Sequence, residues 1–104
     1  QFLNLASPPS AIFASNDEMA AGVTMAVLRR NLVVPDDVSI AGFDDSPIST
    51  MISPPLTTIR QPIQAISQKA VSLLINDLRE IENEDNNPTL PFDLIIRGST
   101  APYQ

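Results

Sequence analysis

The chain has 104 residues, with six basic side chains against 12 acidic ones, a net charge of −6 and a pI near 4.2. That is one domain or part of one, and its charge argues against a phosphate-coating surface. It contains no cysteine and no histidine, which removes disulfides, thiolate zinc sites, cysteine nucleophiles, Ser-His-Asp triads and imidazole metal ligands. An apolar content of 43% supports a core and is too high for disorder. No apolar run approaches the roughly 18 residues of a membrane span. No basic segment followed by an apolar run opens the chain, so no signal peptide is expected. The start at Gln1 rather than Met reads as a chain caught in mid-sequence. With one Tyr, no Trp and four Phe, stacking on single-stranded nucleic acid is not expected.

Ser7-Pro8-Pro9-Ser10 reads as a stiff linker. Ala11-Ile12-Phe13-Ala14 is a short, continuously apolar run, the pattern of a strand buried on both faces of a parallel sheet. Ser15-Asn16-Asp17-Glu18 is a helix start: Asn16 or Ser15 can cap, and two acids complement the positive helix end. Met19, Val23 and Val27 predict an apolar stripe with Ala20 and Leu28 beside it. Arg29 and Arg30 fall in the expected last turn, and Asn31 suits a left-handed cap. The return loop is Val33-Val34-Pro35-Asp36-Asp37, and Val38 to Phe43 reads as a second strand. Strand, helix, strand is the parallel crossover unit.

Asp44 to Pro55 reads as a polar loop and Leu56-Thr57-Thr58-Ile59 as a third strand. Pro62 suits the first turn of a long helix whose face carries Ile63, Ile66, Ala70, Leu73, Leu74, Leu78 and Ile81. The acidic run from Glu82 to Pro88 reads as a solvated loop. Leu90, Phe92, Leu94 and Ile96 alternate with other residues, predicting a final strand. The fold class is therefore α/β, a parallel sheet flanked by helices.

In such sheets ligands bind beyond the carboxyl ends of the strands. The first strand runs into Asn16 and Asp17, the second into Asp44 and Asp45, the third into Arg60 and Gln61. Carboxylates, amides and a guanidinium on one rim suit a polyhydroxylated small molecule. Each also has a plainer reading. Asn16 is a helix cap first, Asp17 a helix-end complement, and Asp44-Asp45 a loop start. Gly42 can mark close packing against a helix, and Arg60 can pair with Asp44 or Asp45. An acid pair after a strand also occurs in phosphoryl-accepting domains, which need Mg²⁺ and a cation at the strand ends. The only lysine, Lys69, lies inside the long helix instead. No catalytic residue, metal site or cofactor is expected.

Three stretches, Ala11 to Gly22, Leu32 to Asp45 and Ser53 to Pro62, resemble in order and spacing the lactose/galactose repressor family of bacterial transcription regulators. The ending Leu94 to Pro102 matches too, so the resemblance covers nearly the whole chain from about Pro8. It implies an incomplete periplasmic-binding-protein-like lobe of type I. Residues 1–62 would belong to the carboxyl-terminal lobe of an effector domain, 63–90 would cross to the amino-terminal lobe, and 91–104 would return. Asn16 and Asp44 match residues that hydrogen-bond the effector, Gln61 matches one at the pocket edge, and Asp17 supports either pocket or helix start. Ile63 stands where some members place an aromatic on the sugar ring.

The implied function is effector binding and dimerisation in a cytoplasmic repressor, with a sugar or sugar-like effector, operator DNA held by a headpiece outside this chain, no membrane partner and no enzymatic activity. A periplasmic sugar receptor of the same fold is the second reading and an aspartate-dependent phosphoryl-transfer domain the third. Met19, Val23 and Met25 on the first helix, with Met51 and Ile52 in the loop from Ser46 to Ile52, predict a two-fold homodimer contact. The alternative is that Met51 and Ile52 tuck under their own loop.

Overall fold

The computed structural model describes residues 1–103. A 3-10 turn at Phe2–Asn4 is followed by β1 (Ala11–Phe13), α1 (Asp17–Leu28), β2 (Ser39–Phe43), α2 (Ile48–Met51), β3 (Thr57–Arg60), α3 (Ile63–Leu78) and β4 (Asp93–Ile95). The sheet order is β1-β2-β3-β4. β1, β2 and β3 run parallel, in registers that pair Phe13 with Ala41 and Phe43 with Ile59. β4 pairs antiparallel to β3, Leu94 facing Ile59, so the expected parallel sheet becomes a mixed one at that edge. β4 is also shorter than the alternation from Leu90 to Arg97 predicted, and Phe92, Leu94 and Ile96 all stay exposed.

The chain divides into two compact units. The first holds Gln1–Arg60 together with the residues from Asp93, and the second is Gln61–Phe92. In the first, Ala14, Ala20, Val27, Val34, Val38, Ile40 and Leu56 form the core. Ile40, Leu56 and Val27 are completely enclosed. Each such side chain contributes about 1.5–3 kcal/mol of transfer free energy. β1 departs from expectation. It stands at a sheet edge, with Ala11 and Phe13 exposed and only Ile12 half-buried, so it is not covered on both faces here.

α1 departs too. Its buried positions are Asp17, Ala20, Ala21, Thr24 and Val27, whereas Met19 is exposed and Val23 half-buried. The expected Met19-Val23-Val27 stripe is therefore rotated towards two polar residues. Their polar atoms are answered: Thr24 Oγ1 donates to the Ala20 carbonyl at 2.9 Å, and Asp17 accepts from two donors described below. Among the described residues no buried side-chain polar atom lacks a partner, the condition for a stable polar interior. The helix ends at Leu28, so Arg29 and Arg30 lie beyond the last turn rather than in it. Asn31 takes φ 57° and closes the end as anticipated, with Leu32 N–H donating to the Val27 carbonyl.

Gly42 is where α1 meets β2. A Cβ there would collide with Asp17 Oδ1 and stand 2.8 Å from Leu56 Cδ2. The glycine thus serves helix packing, one of its two expected roles. After β4 the tail runs beside β2 and β3. Ser99 Oγ donates to the Ile40 carbonyl, and Thr57 N–H donates to Ser99 Oγ at 2.8 Å.

The second unit is one helix and its loop. α3 carries the apolar face read from the sequence, yet none of its residues is buried, and Leu74 is 59% exposed. It stops at Leu78, short of Ile81. Glu80 turns at φ 57°, and Ile81 N–H donates to the Asn76 carbonyl at 2.9 Å, a Schellman-type closure. In the following loop Asn83 Oδ1 accepts from Asn76 Nδ2 at 3.0 Å.

Candidate functional site

Parallel pairing of three strands brings their carboxyl ends to one rim. Asn16 follows β1, Asp44 follows β2, and Arg60 closes β3. Asn16 has extended backbone, and its Oδ1 accepts from the Met19 N–H at 2.8 Å. It is therefore the helix cap, with one lone pair of its amide oxygen engaged.

Asp17 is fully enclosed. Its Oδ1 accepts from Thr58 Oγ1 at 2.6 Å and its Oδ2 from the Ser46 N–H at 2.7 Å. One carboxylate thus joins the start of α1, the strand β3 and the loop after β2. A side chain so placed is out of a ligand's reach. Asp17 lies beneath the rim, bonded to β3 and to the loop after β2.

The loop itself is unusual. Asp44 has φ 107° and Asp45 φ 54°, a region non-glycine residues avoid at a cost of about 1–3 kcal/mol each. Three successive amides hold the backbone there. Asp44 N–H donates to the Ile59 carbonyl at 2.9 Å, Asp45 N–H to Thr58 Oγ1 at 3.4 Å, and Ser46 N–H to Asp17. Asp44 is exposed on the rim, and Asp45 turns inward.

Asp45 is the charge centre beneath the rim. Arg97 Nη2 donates to its Oδ1 at 2.6 Å and Arg60 Nε to its Oδ2 at 2.7 Å. Ser49 Oγ adds a third donor at 3.0 Å. Arg97 also donates from Nη1 to the Leu56 carbonyl and to Ser49 Oγ. Burial raises the Asp45 pKa, but the hydrogen bonds from Arg97, Arg60 and Ser49 outweigh it and hold the carboxyl below its ordinary 3.8. Arg60 therefore pairs with Asp45, one of the two partners foreseen. Arg97 and Ser49 were not foreseen. A cation inside the apolar run Leu94-Ile95-Ile96-Arg97 was the available signal, because an acid pair elsewhere needed a partner. Ser49, on α2 inside the expected loop, carried none.

Gln61 begins the second unit, one residue past Arg60, and is half-buried there. Asn16, Asp17 and Asp44 belong together in the first unit. The rim they form is open. A cleft of about 350 Å³ lies at the other end of the strands, among Ser10, Asp36, Asp37 and Thr100, and an apolar one of about 380 Å³ runs along Phe2, Phe13, Met19 and Val23. Neither includes Asn16 or Asp44. Among the described residues no group of three or more acids could hold a metal ion, and no helix is long and apolar enough to cross a membrane.

The expected dimer residues split between two flanks of α1. Glu18 and Met25 are seven residues apart, hence on one face. The Ser46 hydroxyl bonds Glu18 at 3.0 Å, which puts the Ser46–Ile52 loop on that same flank. Met25 and Met51 are exposed, at 55% and 79%. Met19 and Val23 line the apolar cleft on the other flank. Ile52 packs against the core rather than under its own loop, while Met51 stays exposed.

A mixed sheet with a helical flank and a polar rim beyond its parallel strand ends defines a periplasmic-binding-protein-like lobe fragment. The chain belongs to the periplasmic binding protein-like domain family, whose pattern it matches over residues 1–100. Within it, the chain is similar to regulators of the lactose/galactose repressor type. It is 40% identical to the HTH-type transcriptional repressor CytR of Escherichia coli (strain K12) over 96% of its own length and 29% of that protein's. A LacI family transcriptional regulator from Lactobacillus casei, solved with bound sucrose, is 37% identical with a TM-score of 0.75 over 88% of this chain and 34% of that one. The lac repressor dimer bound to operator and the anti-inducer ONPF is 34% identical with a TM-score of 0.82 over 90% of this chain and 32% of that one. The chain thus spans about a third or less of these relatives, which are regulators of transcription rather than enzymes.

Proposed function

We propose that this chain is the effector-binding and dimerisation segment of a transcriptional repressor whose effector is a sugar or sugar-like molecule. The observation that carries the reading is the rim itself. An exposed carboxylate, Asp44, is held in a costly backbone conformation on the same rim as the helix-capping Asn16, with a buried acid and an ion-paired acid beneath it. Strain of that kind is retained where a side chain must be aimed. A carboxylate can accept from two hydroxyls and an amide nitrogen can donate to a third oxygen. An open half-site fits a pocket completed by another lobe, and Gln61 would lie at its edge. Residues 63–90 would cross to that lobe, where the uncovered face of α3 would find its partner, and residues 91–104 would return.

The regulator reading is favoured over a periplasmic receptor because the curated relatives are HTH-type repressors. The solved relative bound to sucrose favours a sugar. Operator DNA would be held by a part of the protein outside this chain, since a net charge of −6 repels phosphates. The protein would act in the cytoplasm, without enzymatic activity or cofactor. The dimer contact would centre on Met25 and Met51, with Met19, Val23 and Ile52 contributing less. Sedimentation of the full-length protein carrying Met25→Glu and Met51→Glu should show a monomer.

Calorimetric titration of the full-length protein with neutral mono- and disaccharides tests the pocket. At least one should bind, and Asp44→Ala should weaken it about tenfold to a hundredfold, the worth of a charged hydrogen bond. Equal affinity in wild type and variant would remove Asp44 from the site.

A further inference from the structure

Asp45 lies next to the candidate pocket carboxylate yet reaches away from the rim. Its oxygens take Arg97 at 2.6 Å, Arg60 at 2.7 Å and Ser49 at 3.0 Å. Its side chain is 9% exposed, so no ligand on the rim competes for it. The two arginines come from special places in the chain. Arg60 is the last residue before the chain leaves the first unit, and Arg97 stands four residues after it returns at Asp93. Arg97 is anchored besides to the Leu56 carbonyl, at 2.9 Å.

We propose that Asp45, clamped by Arg97 and Arg60, is the positioning residue that holds Asp44 in its left-handed conformation and so sets the affinity of the pocket without touching the effector. This rests on the effector-binding reading above. The backbone bonds of Asp44 and Ser46 flank a residue held at φ 54°. Nothing in an isolated Asp-Asp dipeptide enforces two successive left-handed residues. Beside the three amide bonds, the Asp45 side chain is the contact that ties the turn itself to distant chain, because it closes onto Arg97 in the tail and Ser49 in α2. Burial and charge both make that closure selective. A neutral amide at position 45 would keep the shape but lose two charge-assisted bonds.

The test uses full-length protein, with amide hydrogen exchange read at residues 44–46 and at Val27, Ile40 and Leu56. Asp45→Asn should speed exchange at 44–46 by about tenfold or more while the three core amides change less than about twofold. Its affinity for the saccharide that binds wild type should fall by at least about tenfold. Arg97→Lys keeps the charge but not the fork, so it should give the same pattern more weakly and serves if Asp45→Asn does not fold. Uniform acceleration across loop and core, or lost affinity with unchanged exchange at 44–46, would overturn the proposal. If no saccharide binds wild type, the effector reading fails. The exchange arm then still decides whether Asp45 fixes Asp44: loop-confined acceleration supports that, and its absence refutes it.

Discussion

The two units of this chain treat similar material in opposite ways. α1 has a ragged apolar stripe interrupted by Asp17 and Thr24, yet five of its residues are buried. α3 has the cleaner stripe, and none of its residues is buried. The first unit folds around Ile40 and Leu56, while the residues from Gln61 to Phe92 enclose nothing of their own. An amphipathic period says that a helix face seeks a partner; it does not say that the partner lies in the same stretch of chain. Burial in the first unit comes instead from a sheet that gives α1 something to lie on, and from Gly42, which lets it approach.

That contrast can be broken most forcefully at Leu56. Leu56→Ala should lower the stability of the chain by about 2–5 kcal/mol in urea denaturation, since a fully enclosed side chain leaves a cavity. A loss below about 1 kcal/mol would mean that the first unit is not the cooperative core.

Asp17→Ala should cost less, about 1–3 kcal/mol, by leaving the Ser46 amide and the Thr58 hydroxyl without their acceptor. The conservative Asp17→Asn should recover part of it, because one amide oxygen can still accept. Equal losses in both variants, measured by thermal denaturation, would show that packing rather than hydrogen bonding matters there.

The acid limb of the stability curve separates the units by charge. Asp45 has a depressed pKa in the folded state, so its contribution is fully present above the ordinary 3.8 and is lost as pH falls through the lower folded value. Asp45→Asn should therefore flatten the fall in stability below about pH 4 and leave its shape at neutral pH unchanged. An identical acid limb in wild type and variant would show that the pair with Arg97 adds nothing.

The smallest effect is expected at Leu74. With 59% of its surface exposed, Leu74→Ala should change the stability of the 104-residue chain by less than about 0.5 kcal/mol. The same substitution in the full-length protein sharpens the comparison. A loss of about 2 kcal/mol or more there would show that the α3 face is covered by chain outside this segment.

Local features were the legible ones. The alternation of apolar runs and helical periods located three parallel strands and two main helices to within a few residues. Asn16 announced itself as a cap and Asn31 as a left-handed terminator, because both roles depend on neighbours three or four positions away. The rim residues followed from the rule that parallel strand ends carry ligands, and the family motifs pointed to the same positions. The direction of β4, the edge position of β1, the helical turn at Ile48–Met51 and the true buried face of α1 were not legible. Each depends on which element arrives alongside.

The amino-acid sequence by itself determined the fold class, the family and the identity of the acids on the rim, since those reside in short motifs read along the chain. Only the tertiary structure assigned their work. It buried Asp17 under Thr58 and Ser46, turned Asp44 outward, and chose Asp45 as the partner of Arg97, 52 residues away. The reason is physical. Two adjacent aspartates have the same local chemistry, and what separates them is the field and the space supplied by segments distant in sequence, which folding alone brings together.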